Sequence, residues 1–103
     1  MGSHNDSVIL FVNTKKKETI QSVWDKYIDE LLFKHGHDPY NGTLSTCRGM
    51  FTTTLPSEIN PNKEKDVFEY IWGNTEKWKK AMAIKVSEKD CIEKWLIGGW
   101  SAE

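Results

Sequence analysis

The sequence predicts a single α+β domain, and three observations lead to that class. The first is an apolar run at Val8–Val12, made of the β-branched and aromatic residues that favour strands. The second is a stripe of apolar residues at helical spacing that starts at Ile20. The third is a set of short strand-like segments in the second half of the chain, separated by turn residues. A chain of 103 residues has room for one hydrophobic core.

The first two predicted elements are a buried strand and a long amphipathic helix. Val8–Val12 contains no polar residue, so we expect this strand to be buried on both faces. After the lysines of Lys15–Lys17, expected in a solvated turn or beside an anion site, a helix is predicted from Glu18. Its apolar face is formed by Ile20, Val23, Trp24, Tyr27, Ile28, Leu31 and Leu32. The helix should end at His35, because Gly36 favours the left-handed conformation of a helix C-cap.

A hairpin and a second helix are predicted next. Thr43–Thr46 and Met50–Leu55 are expected to form the two strands of the hairpin. Asn60–Pro61 has the pattern of an N-cap followed by proline at the first helical position. The helix should present Val67, Phe68, Ile71 and Trp72 on one face and end at Gly73–Asn74.

A final hairpin completes the predicted fold. Ala81–Val86 alternates as a half-buried strand does, and Trp95–Trp100 is the last strand. Gly98 and Gly99 suggest a bulge or a close backbone approach, and the two tryptophans should lie on opposite faces. The order β-α-ββ-α-ββ predicts two helices packed on one face of a mostly antiparallel, four- to five-stranded sheet, a broadly ferredoxin-like arrangement.

Composition narrows the classes of partner. Fourteen basic and fifteen acidic residues give a formal charge of −1, which disfavours general nucleic-acid binding. The apolar runs are too short to span a bilayer, and two cysteines without an apolar leader favour a reducing cytoplasm. The first four residues resemble a cloning remnant, so residues 1–6 are assigned to a disordered N-terminus and residues 7–103 to the domain.

Most of the polar chemistry is concentrated between the first helix and the following strand. This stretch and a later Lys-Trp word supply the candidate ligand-binding residues, which are His35, His37, Tyr40, Asn41, Thr43, Ser45, Arg48, Trp78 and Lys79. The aromatic rings would stack on a ligand ring, and the amide and hydroxyl groups would hydrogen-bond its polar edges. Arg48 and Lys79 would neutralise a phosphate. No cofactor is expected.

Other interpretations of the same residues stay open. His35, His37, Asp38 and Cys47 have residue types found in metal sites. Cys47 with a histidine could also form a nucleophile and base. The same residues could instead have purely structural roles. The histidines would then be surface groups at the helix end, the threonines would reflect the β-propensity of a strand, and Trp78 would fill the core.

Three short sequence motifs resemble those of a family of small bacteriophage and prophage proteins. The motifs here are His35–Leu44, Glu76–Ala81 and Gly98–Ala102. In that family a Gly-Pro pair follows the Lys-Trp word, whereas this chain has Lys79–Lys80, which puts a tight turn in doubt and adds two charges. The resemblance implies an accessory protein of a mobile element that acts on a host pathway.

These observations together predict a non-enzymatic protein that sequesters an anionic, nucleotide-like ligand and so counters a host defence pathway. We expect a homo-oligomer, because a domain this small encloses little volume and a second copy would complete the pocket. One alternative is an anti-CRISPR-like inhibitor that binds a host defence enzyme through exposed aromatic residues and an acidic helix face. A third is a small hydrolase that uses His35 or His37 as general base.

Overall fold

The computed structural model describes residues 3–35, 49–75 and 79–102. The chain belongs to the α+β class, as predicted, with two α-helices and a mostly antiparallel sheet of four strands in this described part. In chain order the elements are β1 (Ser3–Asn13), a 3₁₀ turn (Thr14–Lys16), α1 (Ile20–His35), β2 (Met50–Thr53), α2 (Glu64–Gly73), β3 (Ala81–Lys89) and β4 (Ile92–Ala102).

The strands lie in the order β1-β4-β3-β2. β4 pairs antiparallel with both β1 and β3, so the predicted final hairpin is confirmed. Its turn consists of Asp90 and Cys91, whose φ angles of 53° and 66° are those of a type I′ turn. β2 pairs in parallel with β3, so Met50–Thr53 is a strand, within the predicted range Met50–Leu55, and this parallel pairing is not one that the sequence predicts. The predicted partner, Thr43–Thr46, lies outside the described residues.

The two helices lie on opposite faces of the sheet, and the prediction that they share one face is wrong. Neighbouring residues of β3 pack in different clusters: Ala83 packs with Trp24 of α1, and Ile84 packs with Ile71 of α2. Successive side chains of a strand point to opposite faces, so the two clusters are separated by the sheet. The segment Ala81–Ile84 is consequently buried on both faces, where the sequence predicts a half-buried strand.

β1 is an outer strand of the described sheet, and the exposure of two of its residues corrects the prediction that Val8–Val12 is buried on both faces. Val8 and Leu10 pack under α1, and Val12 is fully buried. The alternate residues Ile9 and Phe11 are 36% and 56% exposed, because α2 packs over β4 and leaves this part of β1 uncovered. The strand starts at Ser3, so residues 3–6, predicted to be disordered, belong to the sheet.

Both helices end where the sequence indicates, and both start later than predicted. α1 ends at His35 and α2 at Gly73. α1 starts at Ile20, where Thr19 Oγ1 accepts a hydrogen bond from the Ser22 N–H at 3.1 Å. Asn60 closes a separate turn by accepting from the Asn62 N–H at 2.9 Å, and α2 starts only at Glu64.

Gly98 is a close-approach position, one of the two possibilities predicted for it. A Cβ built there would lie 3.0 Å from Ile71 Cγ2 and 3.1 Å from Trp72 Nε1. Trp95 packs with the α1 cluster, whereas Trp100 Nε1 donates to the Trp72 carbonyl of α2 at 2.8 Å. The two tryptophans of β4 therefore lie on opposite faces, as predicted. No helix in the described ranges is long and apolar enough to cross a membrane.

Candidate functional site

Most of the predicted ligand-binding residues lie outside the described part of the chain. These are His37, Tyr40, Asn41, Thr43, Ser45, Arg48 and Trp78, together with the side chain of His35. Their joint role stays a prediction. Lys79 is described, and it lies in a groove that can be built from described residues alone.

The groove, here called the lysine groove, has a volume of about 450 Å³. It is lined by Phe51, Gly73, Asn74, Thr75, Lys79 and Lys80. Topology explains why these residues meet. α2 runs back along the sheet between two parallel strands, so its C-terminal end lies near the start of β3. The Ala81 N–H donates to the Gly49 carbonyl at 2.9 Å and joins the starts of β2 and β3 at the same place.

Lys79 and Lys80 give this groove a positive charge. Both side chains are exposed, and neither forms a salt bridge with a residue of the described ranges. The two lysines directly precede Ala81, the first residue of β3, so their backbone lies at the start of that strand. An anion could therefore bind here without displacing a described carboxylate.

Side-chain hydrogen bonds to the last carbonyl groups of α2 reduce the repulsion between this helix end and an anion. The last carbonyls of a helix carry partial negative charge. Thr75 Oγ1 donates to the Ile71 carbonyl at 3.0 Å, and Asn74 Nδ2 donates to the Tyr70 carbonyl at 2.8 Å. The Thr75 hydroxyl oxygen and the Asn74 amide oxygen retain acceptor capacity for N–H or O–H groups of a ligand.

Phe51 adds an aromatic surface to the groove. Its ring is 37% exposed, although the strand position opposite it in the sheet, Met82, is buried. An exposed phenyl ring can stack on a flat heterocycle. The groove thus combines two cations, two hydrogen-bond acceptors and one aromatic face.

A second groove, here called the threonine groove, has a volume of about 620 Å³ and a different chemistry. It is lined by Thr52, Thr53, Thr54, Leu55, Pro56, Ser57, Ile59, Pro61, Lys85, Val86 and Trp95. Its cation is already engaged, because Lys85 Nζ lies 3.0 Å from Glu88 Oε1 and 3.6 Å from Glu93 Oε2. The hydrogen bond to Glu88 raises the pKa of Lys85 above its usual value. This groove is therefore less suited to an anion than the lysine groove.

The predicted alternatives with metal or covalent chemistry depend on the undescribed residues. Cys47, His37 and Asp38 lie outside the described ranges. Among the residues that are described, no group of three or more His, Cys, Asp or Glu side chains is arranged to hold a metal ion.

Sequence reasoning missed Phe51, Asn74 and Thr75 as site residues. The sequence predicts Asn74 as part of a helix end and Phe51 as part of an ordinary strand, and it assigns no role to Thr75. A signal for Lys80 existed, because Lys79–Lys80 was recognised as two added charges. Nothing in the local sequence indicates that Phe51 lies beside the end of α2, since more than twenty residues separate them.

Comparisons with protein-family models, with curated proteins and with solved structures found no match to this chain.

Proposed function

We propose that this protein is a non-enzymatic binding protein for a small phosphate-bearing ligand with a planar ring, and that the lysine groove is its binding site. In this proposal Lys79 and Lys80 neutralise the phosphate, Phe51 stacks on the ring, and Asn74 and Thr75 accept hydrogen bonds from its polar edge. A volume of about 450 Å³ is in the range of small-molecule sites. In the bacteriophage setting implied by the resemblance, such binding would withdraw a signal nucleotide from a host defence pathway.

The observation that carries the proposal is the pair of lysines without a described acidic partner, beside a helix end whose carbonyls are already hydrogen-bonded. Lys85 and Lys94 are paired with glutamates, whereas Lys79 and Lys80 share with other exposed lysines, such as Lys26 and Lys34, the lack of a described acidic partner. The groove lysines differ from those others because they line a concave surface together with an aromatic ring. The two groove lysines are thus available to an anion.

Isothermal titration with ADP and with adenosine tests the proposal. ADP should bind at sub-millimolar concentration and adenosine at least about tenfold more weakly, because the phosphates provide the charge-assisted contacts. The double variant Lys79→Gln/Lys80→Gln should weaken ADP binding by at least about tenfold and leave adenosine binding little changed.

Lys26→Gln/Lys34→Gln is the matched control, because it removes the same charge from the exposed side of α1. Phe51→Ala should weaken both ligands, whereas Phe33→Ala, which truncates a ring that is 92% exposed, should weaken neither. Equal loss of ADP affinity in the two lysine variants would attribute binding to net charge and contradict the assignment of the groove.

The exposed ring of Phe33 favours a second candidate, a protein inhibitor. Phe33 lies near the end of α1, and Asp25, Asp29 and Glu30 lie on the exposed side of the same helix together with Lys26 and Lys34. An aromatic anchor beside a charged rim is typical of protein interfaces. An inhibitor should inhibit a purified CRISPR nuclease, and Phe33→Ala should abolish the inhibition while Phe51→Ala retains it. Inhibition that survives Phe33→Ala would exclude this surface.

A further inference from the structure

The outer edge of β1 carries backbone groups that no described residue uses. The Thr14 N–H donates to the Cys91 carbonyl at 2.9 Å, which fixes the even-numbered residues of β1 as those that face β4. The N–H and C=O groups of the odd-numbered residues therefore point away from β4. No described strand lies on that side of β1.

Two of these outward-facing positions are closed by nearby carboxylates. The Ser7 N–H donates to Asp6 Oδ1 at 2.9 Å. The Asn13 N–H donates to Glu18 Oε1 at 2.8 Å, and the Asn13 carbonyl accepts from the Glu18 N–H at 3.2 Å. Ile9 and Phe11, between them, have outward backbone groups with no hydrogen bond to a described residue. The open segment between the Ser7 and Asn13 N–H groups is therefore centred on Leu10.

The side chains of the open segment are apolar and exposed. Ile9 is 36% exposed and Phe11 is 56% exposed, and both lie on the α2 face of the sheet. Edge strands are commonly protected from pairing by lysine, proline or a bulge. β1 contains no lysine or proline, and its register with β4 is unbroken from Ser3 to Asn13.

We propose that this edge joins two copies of the chain into a two-fold dimer, with their β1 strands antiparallel and Leu10 at the axis. Ile9 then lies opposite Phe11 of the second copy, and each of the two such pairs exchanges two hydrogen bonds. The outward backbone groups of Ile9 and Phe11 are used in full, and Ile9–Phe11 contacts form twice across the axis. The four described strands of each copy become one continuous sheet of eight.

The charges favour this occupant and this orientation. Asp6 is the acidic residue near the start of β1, and Lys15–Lys17 follow its end. In the antiparallel pair Asp6 lies opposite Thr14 of the second copy, and Ser7 lies opposite Asn13, so Asp6 meets both Glu18 and Lys15–Lys17 of that copy. Three lysines against one glutamate leave this end of the second copy positively charged. A parallel pair would bring each charge against its like. A strand that is acidic at one end and basic at the other is thus complementary to a second copy of itself.

The dimer proposal is independent of the ligand-binding proposal. β1 and β2 are the opposite outer strands of the described sheet, so the lysine groove beside β2 lies away from the proposed interface. Loss of one activity therefore need not affect the other, and the two proposals can fail separately.

Sedimentation equilibrium of the intact chain tests the association. We expect a mass of twice 11.9 kDa at sub-millimolar concentration. Phe11→Lys should raise the dimer dissociation constant by at least about tenfold, because it places a charge in each apolar pair. Phe33→Lys is the matched control, with the same exchange at a more exposed phenylalanine away from the edge. ADP binding should be unchanged in Phe11→Lys.

Amide hydrogen exchange tests the geometry. The Ile9 and Phe11 amides should exchange more slowly as protein concentration rises, whereas the Val8 and Leu10 amides, already bonded to β4, should not respond. Asp6→Asn, which keeps an oxygen for the Ser7 N–H, should weaken the dimer and reduce its salt dependence. A monomer at every concentration, or a dimer that tolerates Phe11→Lys and leaves the Ile9 amide unprotected, would overturn the proposal.

Discussion

The two faces of the sheet are packed by side chains of different sizes. Under α1, the large ring of Trp24 lies over small residues, Ala81 and Ala83, and Tyr27 follows with its ring centroid 6.0 Å away. Under α2, branched residues of medium size such as Ile71 pack against others such as Ile84. The α1 face thus combines one large ring with small strand residues, whereas the α2 face combines residues of similar size.

Truncating Trp24 should have the largest effect, because the alanines beneath it cannot expand into the space. We expect Trp24→Ala to lower the free energy of unfolding by about 3–5 kcal/mol. Urea unfolding followed by circular dichroism measures this loss. Phe33→Ala serves as control, and a similar loss for both would show that ring size alone, without burial, explains the result.

Enlarging Ala83 tests the same face from the sheet side. Ala83→Leu should cost about 1–3 kcal/mol, because Trp24 already occupies the space above it. Adding Trp24→Leu should recover part of that cost, with a coupling energy of about 0.5–3 kcal/mol in a double-mutant cycle. Strict additivity would mean that the two side chains do not share the space.

Gly98 provides the corresponding test on the α2 face. A Cβ there would crowd Ile71, Trp72 and the Asp6 carbonyl at 3.0–3.3 Å, so Gly98→Ala should destabilise by about 1–3 kcal/mol. Gly73→Ala is the control, since nothing lies within 4 Å of its built Cβ. In a helix that change should stabilise by about 0.5–1 kcal/mol. Thermal unfolding of the two variants should shift in opposite directions, and shifts of the same sign would contradict this account.

The smallest expected effect is a pH dependence of the free energy of unfolding, caused by Tyr27 on the α1 face. Burial, and to a lesser extent the charge of Asp6, raises the pKa of Tyr27. The folded state therefore holds the Tyr27 proton more tightly than the unfolded state does. The resulting contribution to the free energy of unfolding is fully present below the ordinary tyrosine pKa of about 10, and it is lost as pH rises through the raised pKa. Urea unfolding between about pH 9 and 11 should show a steeper loss in the parent than in Tyr27→Phe. Identical slopes would contradict the assignment.

The candidate site shows where sequence reasoning stops. Lys79 could be chosen from the sequence, because two adjacent lysines after an aromatic residue suggest an anion site. Phe51 and Asn74 could not, since each reads as an ordinary strand or turn residue. Their proximity arises because α2 returns along the sheet and β2 pairs in parallel with β3, and such long-range pairing leaves no local mark on the sequence.

By itself, the sequence determined the α+β class, the periodic face of α1, the end of each helix and the final hairpin, because these depend on neighbours within a few residues. Only the tertiary structure decided that the helices cover opposite faces, that β1 is an outer strand of the described sheet with Ile9 and Phe11 exposed, and that Lys79 and Phe51 share a groove. An apolar run such as Val8–Val12 has the same local pattern in a central strand and in an edge strand. Which one it becomes depends on what the rest of the chain places beside it.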